Sequence, residues 1–185
     1  MIKSIPSHNS HEIYKDKNIN ELVDFSLDNL NDDLFMDILT LITYGNLKLV
    51  DKLINKFKSH ARYSKKESYD YLKSLFHSLY DGEISKEEVR GTFLELLVFK
   101  YLNSKFSHYD GYMSDLDCFI EICGNKSERT VDVFAFWGFK GFVSENKISE
   151  RYFEDHDLDN LNKIYNDSNK LLITSHYSFG TTEIH

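Results

Sequence analysis

The chain is poor in the residues that mark several specialised classes. Two cysteines and one proline among 185 residues supply neither a disulfide framework nor a proline-rich recognition segment. Cys118 and Cys123 stand five apart inside a run read as one strand. There they point to opposite faces, cannot bridge each other and read as two small buried hydrophobes. No set of Cys and His has zinc-site spacing, and neither a glycine-rich phosphate loop nor a Ser-His-Asp signature is present. No apolar run approaches the roughly 18 residues that a membrane span needs. The opening MIKSIPSHNSHEIYKDKN lacks an apolar signal core, so a cytoplasmic protein without a membrane partner is expected. Positive charge is scarce too: 22 Lys and Arg against 30 Asp and Glu give −8. That excludes a uniformly basic nucleic-acid binder but leaves room for a local basic patch.

What is present is core material. Hydrophobic residues make up 41% and aromatics 15%, enough to exclude wholesale disorder. The length suits one domain, or a compact domain with a helical extension. Residues 1–18 are polar, carry His8, His11 and Pro6, and read as an arm. From 19 to 84 the apolar period is helical. Leu22, Phe25, Leu27, Leu30, Leu34, Ile38, Leu41 and Ile42 recur at threes and fours, and Asn31-Asp32-Asp33 offers a cap for a new helix. After Gly45-Asn46 a stripe of Leu49, Leu53, Ile54 and Phe57 continues the pattern, and a further helix is expected from Lys65 to Leu79. Between Lys48 and Lys73 eight basic residues face three acidic ones, a net +5. Within it Lys52, Lys56, Arg62, Lys65 and Lys66 are candidates for contacting nucleic-acid phosphates, against the plainer reading of a solvated helix face.

From 85 to 185 the character changes. Ser85 and Glu88 form a capping-box pattern ahead of KEEVRGTFLELLVFKYLNSKF. Runs rich in β-branched and aromatic residues follow at 117–124, 129–137 and 140–149, the last two joined by a tight turn around Gly138 and expected to form a hairpin. A polar helix at about 157–167 and a strand at 170–177 complete an order α-β-β-β-α-β. The expected class is α/β or α+β, with a central sheet flanked by helices. Trp137, Phe134, Phe136, Phe139 and Phe142 read as core. Asp115, Asp117 and Glu121 read as turn and surface residues, Glu154 to Asp157 as a capped helix start, and His176 as a structural histidine.

Four charged residues interrupt runs that otherwise look buried: Glu95 in FLELLVF, Asp132 in TVDVFAF, and Glu145 and Lys147 in GFVSENKIS. An unpaired buried charge costs several kcal/mol, roughly, so these residues should pair with one another or with a metal. Glu145 and Lys147 share a strand face, and antiparallel pairing lets Asp132 face Glu145 across the hairpin. Two close carboxylates repel unless a cation separates them, and an all-oxygen site suits Mg²⁺ or Mn²⁺.

A helix-borne Glu95, a strand-borne Asp132 and Glu145-Asn146-Lys147 on the paired strand resemble the PD-(D/E)XK nuclease superfamily. The resemblance runs over about residues 85–178, with Val131 where the motif has a nominal proline. It implies a restriction-endonuclease-like fold, a mixed central sheet flanked by helices, here behind an N-terminal helical extension. It also implies a metal-dependent hydrolase of phosphodiester bonds, DNA ahead of RNA, in bacterial or phage defence and restriction. On that pattern Asp132, Glu145 and the backbone carbonyl of Asn146 would hold Mg²⁺ or Mn²⁺. Glu95 would bind the metal directly or through water, and Lys147 would position the attacking water. Residues 86–185 carry 11 basic and 17 acidic residues, a net −6, so the extension, a homodimer or a protein partner in a defence complex would supply substrate-binding charge. The alternative reading is a non-catalytic module of the same fold acting within a larger complex.

Overall fold

The computed structural model describes residues 2–7, 12–44, 46–82, 84–138, 140–146, 154–175 and 178–184. It divides into a helical unit, 12–93, and a sheet unit made of 1–11 and 94–185. These bounds differ from the expected 1–18, 19–84 and 85–185, because residues near the N-terminus join the sheet and the helix after Ser85 belongs partly to each unit.

The helical unit contains α1 (Lys17–Asp28), α2 (Asp33–Tyr44), α3 (Leu47–His60), α4 (Lys66–Tyr80) and the first part of α5 (Lys86–Phe106). Side-chain caps set where helices start. Asp16 accepts from the Ile19 amide at 2.9 Å, Asp32 from the Leu34 amide at 2.9 Å and Asn46 from the Lys48 amide at 3.0 Å. The capping box of α5 forms as its residues suggest, with Ser85 and Glu88 bonding reciprocally at 3.0 and 3.2 Å. The core is Ile19, Leu22, Leu34, Ile38, Leu41, Val50, Ile54, Leu72, Phe76, Val89 and Phe93, all buried. Each contributes about 1.5–3 kcal/mol when removed from water. On α3 the stripe is turned from the expected one: Val50 and Ile54 are buried, while Leu49, Leu53 and Phe57 are half-buried.

The sheet unit orders its strands β1 (Ile2–Pro6), β2 (Met113–Ile122), β4 (Val131–Trp137), β5 (Lys140–Asn146) and β6 (Ser178–Ile184), with the short β3 (Asn125–Lys126) also on β2. β1, β2, β4 and β5 pair antiparallel, and β6 runs parallel to β5. A parallel neighbour needs a crossover, which α6 (Asp155–Ser175) provides. Phe106 on α5 stacks on Trp137 at 4.1 Å, while Leu161 and Ile164 on α6 join Phe134, Phe136 and Val143 in the core. Adjacent residues Phe136 and Trp137 point to opposite faces, so the two helices cover the two sides of the sheet. The class is therefore mixed α+β with a helix-flanked sheet. Among the described residues no helix is long and apolar enough to cross a membrane.

Several expectations are corrected. The opening residues are not an arm: Ile2–Pro6 pairs with β2, Ile2 joins the core, and Lys3 pairs with Glu121 at 3.0 Å. The expected strand 170–177 is helix through Ser175, and the strand is Ser178–Ile184; a short apolar run such as LLIT reads the same in a buried helix. Cys118 is buried, but Cys123 is exposed in the turn after Ile122, and neither is in a disulfide. Trp137 and Phe142 are half-buried. The expected helix start at Glu154 to Asp157 forms, the Asp157 carboxylate accepting from the Glu154 amide at 3.2 Å. His8, His11, Phe139 and His176 lie outside the described residues.

The helical unit carries its ion pairs between helices. Asp32 takes both its oxygens to Lys65, and Asp51 accepts from His77 at 2.9 Å with Lys73 at 3.4 Å. The Lys65 hydrogen bond holds the Asp32 carboxyl below its ordinary 3.8, and the His77 bond does the same for Asp51. Asp37 moves the opposite way, raised by burial. A lowered folded pKa gives stability that is present above 3.8 and lost as pH falls below it; the raised Asp37 contributes below 3.8 and loses that contribution as pH rises. The melting temperature is expected to fall as pH drops below about 4, and Asp51→Asn should flatten that fall. An identical acid limb in the variant would contradict the assignment.

Candidate functional site

The β4–β5 hairpin turns at Gly138, whose φ of +56° is costly for any residue with a Cβ. From there the ladder runs Trp137 with Lys140, Phe136 with Gly141, Ala135 with Phe142, Phe134 with Val143 and Val133 with Ser144. The next positions outward are Asp132 and Glu145. The Asn146 main-chain N–H donates to Asp132 Oδ2 at 2.5 Å, tying the end of β5 to the Asp132 carboxylate. Glu145 and Asn146 are 5% and 4% exposed, whereas Asp132 is half-buried. Continuing the alternation puts Asp132 on the side of Phe134 and Glu145 on the side of Val143, the face that α6 covers.

Three of the residues singled out from the sequence, Asp132, Glu145 and Asn146, are therefore neighbours at one end of the hairpin. Glu95 sits on α5, half-buried between Leu94 and Leu96. Among the described residues no group of three or more His, Cys, Asp or Glu is arranged to hold a metal ion, so Glu95 does not join the pair into such a group. Lys147 lies outside the described residues.

The neighbourhood holds polar atoms that no sequence pattern singled out. The Ser144 hydroxyl, both amide atoms of Asn146 and the Asn160 Oδ1 are buried without a hydrogen-bond partner among the described residues. Asn160, on α6, donates through Nδ2 to the Thr130 carbonyl at 3.3 Å, two residues before Asp132. Buried polar atoms of this kind are uncommon in folded proteins, and their concentration at the Asp132 end of the sheet sets that end apart from the aliphatic core. In the sequence Asn160 is one of several asparagines in a polar helix, with nothing to distinguish it.

The basic stretch is less available than its count suggests. Lys65 is engaged by Asp32, Lys58 by Asp70 and Lys73 by Asp51, and Lys66 lies over the Tyr63 ring at 5.8 Å. Lys52, Lys56 and Arg62 are exposed. Asp32 comes from outside the stretch, so a local tally of charge misses it.

No protein-family model matches the chain, and no curated protein does. Among solved structures, the crystal structure of protein VC1899 from Vibrio cholerae is similar at a TM-score of 0.41 and 12% identity over 97% of this chain. The match spans 55% of that protein's length.

The Asn146 contact gives a direct test. Asp132→Ala leaves a buried main-chain N–H without its acceptor and is expected to cost about 1–3 kcal/mol. Asp132→Asn, which retains an acceptor oxygen, should cost less. Urea unfolding of both variants in EDTA measures the difference; equal losses would contradict the hydrogen bond's role.

Proposed function

We propose that the sheet unit is a divalent-metal-dependent nuclease of the PD-(D/E)XK type with a restriction-endonuclease-like core, acting on DNA ahead of RNA. The observation that carries this reading is the adjacency of Asp132 and Glu145 at the hairpin end, with Asn146 bonded to the first and following the second. The chain order α5-β2-β4-β5-α6-β6 supports it, with an antiparallel trio followed by a parallel strand reached through a helix.

The donor set fits a hard cation. Both side chains offer carboxylate oxygens, and adjacent carboxylates gain from a positive charge between them. Asp132 and Glu145 would hold Mg²⁺ or Mn²⁺, with the Asn146 carbonyl as a main-chain donor; Glu95, which does not group with the pair, would act only through water. Such an ion supplies Lewis acidity toward a phosphoryl oxygen and lowers the pKa of bound water. The chain's own part is positional. The Asn146 amide fixes one Asp132 oxygen. The buried setting of Glu145 strengthens its electrostatic effect. Lys147 would orient the water and offset charge developing on the phosphate.

A second reading, a non-catalytic module of the same architecture, draws on the net −6 of residues 86–185, a poor balance for gripping a polyanion unaided. Cleavage of plasmid and linear DNA by the full chain separates the two. In Mg²⁺ or Mn²⁺ the wild-type chain should cut, EDTA should abolish cutting, and Glu145→Ala or Lys147→Ala should lower the rate by about hundredfold or more. Cleavage that survives both substitutions would reject this site, and absence of cleavage with either metal on DNA and RNA would favour the module.

A further inference from the structure

In the helical unit, the start of α2, the last turns of α3 and the start of α4 line a cleft of about 630 Å³. Its charges are unequally engaged. Asp32 is held by Lys65 through both oxygens and by the Leu34 amide. Asp37 accepts from the Tyr69 hydroxyl at 2.5 Å, and burial raises its pKa, weakening its hold on negative charge. Lys56 and Arg62 line the same cleft, are exposed, and make no ion pair within salt-bridge distance among the described residues, although the Arg62 charge helps to lower the Asp32 pKa. His60 on the rim is fixed by its Nδ1, 2.8 Å from the Lys56 carbonyl; a carbonyl only accepts, so that nitrogen carries the proton. Half-buried Phe57 and buried Tyr69 also line the cleft, their ring centroids 6.5 Å apart.

We propose that this cleft binds a single phosphomonoester of nucleotide size, its phosphate held by Lys56 and Arg62 and its organic part resting on Phe57. A phosphomonoester carries about −1.5 to −2 at neutral pH, which two cations match, and an arginine fork suits two phosphate oxygens at once. A cavity of this size falls in the usual range for small-ligand sites. Asp33 and Asp37, which line the same cleft, select against a run of phosphates, because a second phosphate would meet carboxylates; they offer acceptors to amino or hydroxyl groups instead. The same carboxylates distinguish this site from a groove that follows a nucleic-acid backbone. The phosphomonoester has two possible sources, a free nucleotide or the 5′ end of a strand. The inference does not depend on the carboxylate pair of the sheet unit.

Calorimetric titration of the full chain carrying Glu145→Gln, which keeps any strand intact, tests it. The probes are adenosine 5′-monophosphate beside adenosine, and a short 5′-phosphorylated oligodeoxythymidylate beside its 5′-hydroxyl form. In at least one pair the phosphorylated probe should bind saturably and about tenfold or more tightly than its partner. Preference in the nucleotide pair identifies a free nucleotide as a ligand, and preference in the strand pair alone identifies the strand end. Lys56→Ala and Arg62→Ala should each weaken that binding by about tenfold, while Lys86→Ala, exposed and outside the cleft, should not. No phosphate preference in either pair, or an equal loss with Lys86→Ala, overturns the proposal.

Discussion

Two carboxylates on neighbouring strands repel, and the sheet unit is built so that Asp132 and Glu145 meet that condition at the end of one hairpin. In water such a pair costs little; where one member is 5% exposed the repulsion is less screened. The hydrogen bond from the Asn146 amide offsets part of it by fixing one Asp132 oxygen. The rest of the architecture keeps the pair in register. A one-residue slip of β5 against β4 would turn Glu145 to the other face and Val143 out of the core. The packing of Phe134, Phe136 and Val143 against Leu161 and Ile164 therefore holds the carboxylates as well as the core.

The mixed sheet has a second consequence. Because β6 runs parallel to β5, the chain must cross over after the hairpin, and α6 makes that crossing. The crossing brings Asn160 to the Thr130 carbonyl, just before Asp132. A buried asparagine thus stands beside the Asp132 end of β4, its Oδ1 without a hydrogen-bond partner among the described residues.

Much of this was legible in the amino-acid order, for identifiable reasons. The β4–β5 hairpin has strong alternation and a glycine at the turn, so counting outward from Gly138 predicts Asp132 opposite Glu145. The helices of the N-terminal half follow from a 3.6-residue period and clear caps. What escaped depends on partners distant in the chain. Ile2–Pro6 is a strand because β2 lies beside it, and five residues among polar neighbours carry too little pattern to reveal that. The LLITS run suits a strand and a helix equally, so composition alone does not place the end of α6 at Ser175. Lys65 reads as an available cation in its own stretch, but its partner Asp32 stands 33 residues away in the chain. Glu95 was singled out because charge is costly in an apolar helix, yet that argument says nothing about which end of the sheet its helix serves.

The central claim is that Asp132 and Glu145 form a site for a hard divalent cation. Calorimetric titration of the full chain with Mn²⁺, beside Glu145→Gln, tests this most directly. The account predicts saturable binding by the wild-type chain that the substitution abolishes, because it removes a donor charge and leaves the side-chain volume nearly unchanged. Equal Mn²⁺ binding by both chains, or none by the wild type, would contradict it.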